Sequence, residues 1–83
     1  MKILYFARVR QIVGRGEEQI ERPGGVDTVS GLIDFLKTRD PGCAAAFADL
    51  RTIRAAVDKA HAPLDASIAG AREIAFFPPV TGG

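Results

Sequence analysis

The sequence contains very little that could cross-link the chain, bind a metal or insert into a membrane. Its 83 residues include one cysteine, Cys43, so an internal disulfide is excluded and a cytoplasmic setting is expected. His61 is the only histidine, and neither a metal site nor His-based acid–base catalysis is expected from it without partner side chains. The longest N-terminal apolar run, residues 3–7, is too short for a transmembrane helix or a signal-peptide core. The fold must therefore depend on a well-packed core.

An excess of charge of one sign is also missing. With 11 basic and 10 acidic residues the formal net charge is +1, and the arginines are spread along the whole chain. Nucleic-acid binding needs clustered Lys and Arg that displace counterions from phosphates, so no nucleic-acid partner is expected. An apolar share of 47% and a charged share of 25% are typical of a globular protein, and the length suits one small domain.

Five segments have the residue pattern of β-strands. Residues 2–8 contain an unbroken apolar stretch, which is typical of a central strand buried on both faces. In residues 53–58, Ile53, Ala55 and Val57 alternate with more polar or smaller residues, as in a half-buried strand. The other three segments are the polar residues 17–21, a short edge segment at 62–64 and a last strand at 72–77.

One main helix is predicted over residues 28–39. Four apolar residues recur there at the spacing that places them on one face, and Asp27 or Thr28 can cap the N-terminus. Gly31 inside the helix is expected to allow close packing on a sheet. The run Asp40-Pro41-Gly42 ends the helix, a second short helix is expected over 43–50, and a single helical turn over 9–13.

The order of elements is therefore strand, strand, helix, strand, short strand, strand. The first and last strands are the most apolar, so they are expected to lie together in the middle of the sheet. This predicts an α+β roll in which a mixed sheet of about five strands packs on one main helix.

The end of the chain has an unusual composition. Pro78 and Pro79 lack backbone donors and have a fixed φ, so the chain must leave the sheet as a stiff, extended stem. Val80 and Thr81 favour an extended backbone, while Gly82 and Gly83 carry no side chains. We expect a domain over residues 1–77 and an extended tail over 78–83, whose last four residues reach about 13 Å.

Such a tail suits a chain that threads a narrow tunnel and presents its terminal carboxylate to another protein. A carboxylate is a poor electrophile and must first be activated, typically as an acyl-adenylate. A frayed chain end is the alternative interpretation. Phe76 and Phe77 lie on opposite faces of a pleated strand, and we expect Phe76 in the core.

The sequence resembles the small subunits of molybdopterin synthase, which belong to the ubiquitin-like β-grasp sulfur carriers. The resemblance covers essentially the whole chain. It rests on Leu4-Tyr5-Phe6-Ala7 with Val9-Arg10 and Gly14, on Thr28-Val29 with Leu32, on Ala56-Val57-Asp58 and, most specifically, on residues 73–83, EIAFFPPVTGG.

The resemblance implies a fold, a modification and two partners. The fold would be a β-grasp roll with a flexible Gly-Gly tail, and no cofactor would be bound. An ATP-dependent adenylating and sulfur-activating enzyme would convert the end of Gly83 to a thiocarboxylate. A large subunit, in a heterotetramer, would then use that sulfur to convert cyclic pyranopterin monophosphate during molybdenum cofactor biosynthesis.

The resemblance also implies roles for individual residues. Gly83 would be the acyl-adenylate and thiocarboxylate site, and Gly82 the slim neck behind it. Partner binding would fall to Phe6 and Phe77, together with the stem residues Pro78, Pro79, Val80 and Thr81.

Three alternatives remain open at this stage. A ubiquitin-like protein modifier would share the Gly-Gly end, although only three lysines offer sites for self-chaining. A thiamine-type sulfur carrier would share it too, and a plain binding module would have an inert tail.

Cys43 could carry a persulfide, although we expect a buried apolar role. Residues 17–21 are expected to form a solvated strand face, and Asp58 stands where the family often has Asn.

Overall fold

A computed structural model describes residues 1–79, so the predictions that fall on Val80, Thr81, Gly82 and Gly83 lie outside the described residues. Within this range the chain forms five strands, three α-helices and one 3₁₀ turn. The strands are β1 (Lys2–Tyr5), β2 (Glu17–Gln19), β3 (Arg54–Val57), β4 (Ala60–Ala62) and β5 (Glu73–Phe77). The helices are α1 (Ala7–Val13), α2 (Val29–Arg39) and α3 (Pro41–Ala46), and the 3₁₀ turn is Leu50–Thr52.

The sheet has the strand order β2-β1-β5-β3-β4. Strands β1 and β5 are parallel neighbours, with Tyr5 opposite Phe76, and the other three pairs are antiparallel. The expectation that the first and last strands lie together in mid-sheet is confirmed. So is the mixed five-stranded sheet of the α+β, β-grasp prediction.

The core lies between the sheet and the helices. The predicted apolar face of α2 (Val29, Leu32, Ile33 and Leu36) is completely buried. At about 25 cal/mol per Å² of apolar surface, burial of this kind is the main stabilising contribution in so small a domain. The largest fully buried side chains are Tyr5, Phe47, Phe76, Ile3, Leu32, Ile33, Leu36, Ile53, Ile68, Ile74, Val29 and Cys43.

The first strand is shorter and less enclosed than its sequence indicates. It ends at Tyr5, and α1 begins at Ala7. Ile3 and Tyr5 are buried under the helices, whereas Leu4, which points to the other face, is only half-buried. The prediction of burial on both faces was therefore wrong, because β1 is flanked by strands on both sides but covered by helices on one face only.

The second short helix begins two residues earlier than predicted. Asp40 ends α2 and also caps α3, because its Oδ1 accepts hydrogen bonds from the backbone N–H groups of Gly42 and Cys43 at 2.7 and 3.2 Å. Pro41 then occupies the first helical turn, where a missing N–H costs nothing. Gly42 packs directly against α1, since a Cβ there would lie 2.8 Å from the carbonyl oxygen of Val13.

Helix α2 begins as the sequence allowed, with Thr28 rather than Asp27 as its cap. The Thr28 hydroxyl accepts a hydrogen bond from the backbone N–H of Gly31 at 3.1 Å. A Cβ on Gly31 would lie 3.3 Å from that hydroxyl oxygen and 3.6 Å from a methyl group of Val26. Gly31 therefore makes room for the helix cap, not for close packing on the sheet as predicted.

Candidate functional site

The tail leaves the domain from the middle of the sheet. Strand β5 is the central strand, and Pro78 follows directly after its last residue, Phe77. Because β1 runs parallel to β5, both strands finish at the same end of the sheet. There the backbone N–H of Phe6 donates to the carbonyl oxygen of Phe76 at 3.0 Å. Phe6 and the prolines of the stem thus lie at the same end of the sheet.

A strained backbone position fixes where Phe6 is presented. Phe6 itself is extended, with φ −120° and ψ 153°, but Ala7 has φ 52°, in the left-handed region that residues other than glycine seldom adopt. The chain turns there directly from strand to helix. The Phe6 side chain is therefore 48% exposed, more than any other large apolar side chain in residues 1–79.

The face of the sheet away from the helices, here called the open face, carries an apolar row. Cross-strand register aligns Leu4 with Ala75, Ala75 with Ala56, and Ala56 with His61. The two alanines in the middle, Ala75 and Ala56, have small side chains and are 6% and 8% exposed. Phe77 follows Ala75 by two residues in β5 and therefore lies on the same face. Its ring centroid is 5.2 Å from that of His61.

Phe76 and Phe77 have separate surroundings, as the pleat of a strand predicts. Phe76 is completely buried and packs edge-on against Phe47 at a centroid distance of 4.9 Å. Phe77 is half-buried on the open face. The assignment of Phe76 to the core is confirmed, and the partner-binding role of Phe6 and Phe77 stays a prediction with a surface that fits it.

A polar cluster on the helix side of the sheet was not foreseen from the sequence. Glu18 of β2, expected on a solvated face, accepts hydrogen bonds from Tyr5, Arg15 and Arg39. Burial alone would raise the pKa of Glu18, but these three donors outweigh it and hold the pKa below its ordinary value. Arg15 also pairs with Asp40 at 2.7 Å. The cluster ties β1 and β2 to the ends of α2 and α3, and only knowledge of the fold could have revealed it.

Cys43 is enclosed beside this cluster. It is completely buried, with the Tyr5 hydroxyl 3.8 Å and an Arg15 nitrogen 3.9 Å from its sulfur. Burial is the main cause that raises the pKa of the thiol, which disfavours the reactive thiolate. The geometry agrees with the predicted role of a small apolar residue.

Asp58 has a structural task at the end of the sheet opposite the tail. Its Oδ1 accepts hydrogen bonds from the backbone N–H groups of Arg72 and Glu73 at 2.9 and 3.0 Å. These contacts fix the start of β5.

Neither a cluster of metal-ligating side chains nor a membrane-spanning helix is found in residues 1–79. No three His, Cys, Asp or Glu side chains in this range lie close enough together to hold a metal ion. No helix in the described range is long and apolar enough to cross a membrane. What the arrangement offers instead is an apolar open face beside a stiff stem.

Comparison with known proteins gives a consistent match over the whole chain. The ThiS family matches residues 3–83. The molybdopterin synthase sulfur carrier subunit of Escherichia coli (strain K12) is 34% identical over 100% of this chain and 99% of its own length. The protein of the same name from Haemophilus influenzae is 30% identical over the same shares.

Two solved structures have the same fold. A Pyrococcus furiosus protein described as molybdopterin converting factor, subunit 1, is 31% identical, with a TM-score of 0.68 and 95% of each chain covered. The small archaeal modifier protein 1 of Haloferax volcanii is 27% identical, with a TM-score of 0.69 and the same coverage of 95% of each chain.

Proposed function

This chain belongs to the ThiS family, and from its relatives that are named molybdopterin synthase sulfur carrier subunits we propose that it is the sulfur carrier subunit of a molybdopterin synthase. Gly83 is the residue that carries the sulfur. An ATP-dependent enzyme adenylates its carboxylate, and the terminal sulfur of a persulfide then displaces AMP to form an acyl disulfide. A thiol reductant cleaves the S–S bond of this acyl disulfide, is itself oxidised to a disulfide, and so releases the thiocarboxylate. The thiocarboxylate donates its sulfur to cyclic pyranopterin monophosphate in the active site of the large subunit.

One structural observation carries the proposal. The central strand of the sheet continues without a turn into Pro78 and Pro79, beside the exposed Phe6 and the apolar open face. A partner that binds the open face therefore holds the stem in a defined direction. Docking would convert a bimolecular encounter of the thiocarboxylate with its acceptor into a positioned, effectively unimolecular step.

The residue types of the tail support this chemistry. Pro78 and Pro79 keep the stem extended, and Gly82 and Gly83 leave the tip slim enough for a narrow tunnel. The full-length relatives that are named as sulfur carrier subunits support the same role. A large subunit is the partner that such a name implies, and a heterotetramer is the proposed assembly.

A protein modifier is the second candidate. The likeness to the small archaeal modifier protein 1 favours it, because that protein has the same fold at 27% identity. In this case the activated Gly83 would form isopeptide bonds with lysines of other proteins instead of a thiocarboxylate.

Intact-mass measurement on the native protein separates the two candidates. A fraction heavier by the difference between sulfur and oxygen supports the carrier, whereas Gly83 linked to substrate lysines supports the modifier. Deletion of Gly83, or one residue added after it, should abolish sulfur loading while circular dichroism stays unchanged.

The matched control is Gly24→Ala. Gly24 lies in an exposed turn with open space where a Cβ would be added, so this variant should load sulfur normally. Pterin sulfuration that survives deletion of Gly83 would refute the carrier proposal.

A further inference from the structure

A second surface beside the stem, here called the stem groove, lies on the helix side of the sheet. It is a groove of about 560 Å³ between α1, α3 and the two prolines. Its lining includes Arg8, Ile12, Ala45, Ala48, Pro78 and Pro79. The stem therefore forms one wall of this groove, while Phe77 faces the open face.

The sequence explains why a groove forms here. Arg8 and Ile12 are one helical turn apart, so both project from the same side of α1. On the opposite side α3 and the residues after it present alanines, which fill little space between α1 and the prolines. Ile12 is 36% exposed although Val9 and Val13 of the same helix are buried, so the groove has an apolar side chain with no cover in residues 1–79.

Two arginines flank the stem, one on each side. Arg8 lines the stem groove, and Arg54 lies directly opposite Phe77 in the register of β3 and β5. Neither has a carboxylate within 4.0 Å among residues 1–79, where the ion pairs involve other cations. Within the described part of the chain, the Arg54 guanidinium donates only to backbone carbonyl oxygens, the closer one that of Ile53 at 2.9 Å.

The acidic residue at the groove does not neutralise these arginines. Asp49 lines the groove, but its two oxygens are engaged by the Arg51 guanidinium at 3.0 and 3.1 Å. This pair contributes almost no net charge. The stem therefore emerges between two positive charges that its own domain does not compensate.

We propose that the stem groove, with Arg8 and Arg54 on either side of the stem, is a second docking surface for the large subunit, which inserts an apolar side chain flanked by carboxylates. The proposal rests on the proposed function. Any protein that encloses the chain beyond Pro79 must also lie against Pro78 and Pro79, which are a wall of this groove. A large subunit that contacts both the stem groove and the open face holds the stem from both sides. It thereby sets the direction in which the tail leaves the domain.

The two parts of this surface predict different kinetic effects. Exposed charges mainly steer diffusional encounter, so the arginines should affect the association rate and its salt dependence. The apolar groove should affect the dissociation rate, as most interface contacts do.

The test measures association and dissociation rates of the full-length chain with the purified large subunit at several NaCl concentrations. We expect R8E/R54E to lower the association rate about tenfold at low salt and to flatten its salt dependence. The control for charge reversal is R72E, which reverses an exposed arginine just before the first residue of β5, at the far end of the sheet from the stem. It should stay within about twofold of the wild type.

The groove is tested with I12S, which should raise the dissociation rate about tenfold. Its control is L50S, because Leu50 is similarly exposed at 39% but does not line the groove. Circular dichroism and thermal melting establish that all four variants are folded.

Each outcome has a distinct meaning. Failure of the wild type to bind the large subunit would refute the proposed function itself. If the wild type binds and both R8E/R54E and I12S bind with unchanged rates, the docking surface is refuted and the function stands. An equal loss in R72E would also refute the surface, since net charge alone would then explain the effect. The surface would also be refuted as a site for the large subunit if the variants bound that subunit normally but were adenylated more slowly. The activating enzyme would then be the protein that occupies the groove.

Discussion

The Tyr5 hydroxyl donates a 2.6 Å hydrogen bond to Oε2 of Glu18, from one strand of the sheet to the next. Both side chains point towards the helices, where Arg15 and Arg39 complete the surroundings of the carboxylate. The Tyr5 ring itself is part of the core, with Phe76 at a centroid distance of 6.3 Å. The pair therefore joins the polar cluster directly to the apolar core beneath the helices.

The first prediction concerns the dependence of stability on pH. The folded-state pKa of Glu18 lies below its ordinary value of 4.5, since the hydrogen bonds from Tyr5, Arg15 and Arg39 outweigh the opposing effect of burial. The carboxylate therefore contributes its full stability above about pH 4.5 and loses it as the pH falls through the lower folded-state pKa. Glu18→Gln should cost about 1–3 kcal/mol at pH 7 and make stability less dependent on pH below 4.5. Urea unfolding between pH 3 and 7 measures this, with Glu17→Gln, on the same strand but 66% exposed, as the control. Equal losses in the two variants would contradict it.

The second prediction concerns the turn between β3 and β4. Asp58 and Lys59 form a two-residue hairpin loop, with φ 48° and 73°, as a type I′ turn requires. Lys59→Gly should raise the free energy of unfolding by about 1 kcal/mol, because glycine adopts this left-handed conformation without strain. The melting temperature should rise by roughly 4–8 °C, which calorimetry detects. Lys37→Gly, inside α2, should lower stability by about 1 kcal/mol, and a decrease in both variants would show that the turn is not strained.

The third prediction concerns the single cysteine. Cys43 is completely buried and its thiol pKa is raised, so iodoacetamide should modify the folded protein far more slowly than the urea-unfolded chain. Cys43→Ala should retain thiocarboxylate formation at Gly83, with a loss of stability of about 1–2 kcal/mol from the small cavity. Mass spectrometry of both reactions is the measurement. Loss of sulfur loading in a folded Cys43→Ala protein would instead indicate a persulfide role for this thiol.

The fourth prediction concerns the open face. Phe77→Ser removes a half-buried ring next to His61 and should weaken binding to the large subunit by about 1–3 kcal/mol, with a small change in melting temperature. Phe35→Ser is the control, because this half-buried ring belongs to α2, on the other side of the sheet. Isothermal titration calorimetry gives the affinities. Comparable weakening by both substitutions would argue against the open face as the binding surface.

Much of the fold was readable because the relevant signals are local. The apolar spacing of α2 and its Thr28 cap lie within a few residues of one another, and both formed as the pattern indicates. The placement of β1 beside β5 followed from their apolar content, which only the middle of the sheet accommodates. The separation of Phe76 from Phe77 followed from the pleat alone.

Other features depend on residues that are distant in the chain. Glu18 looks like one of several solvated acids until the fold brings Tyr5 and Arg39, 13 and 21 residues away, to a carboxylate that Arg15, three residues before it, also contacts. Ala7 gives no sign in its residue type of the left-handed backbone that holds Phe6 outward.

The sequence by itself determined the composition of the tail, the apolar face of the main helix and the most apolar strands. The reason is that side-chain shape and backbone freedom act over a few residues. Only the tertiary structure decided that the stem leaves the central strand between Arg8 and Arg54, with the open face on one side and the stem groove on the other. These relations join segments about 20 to 70 residues apart, and they exist only after the sheet has fixed its strand order.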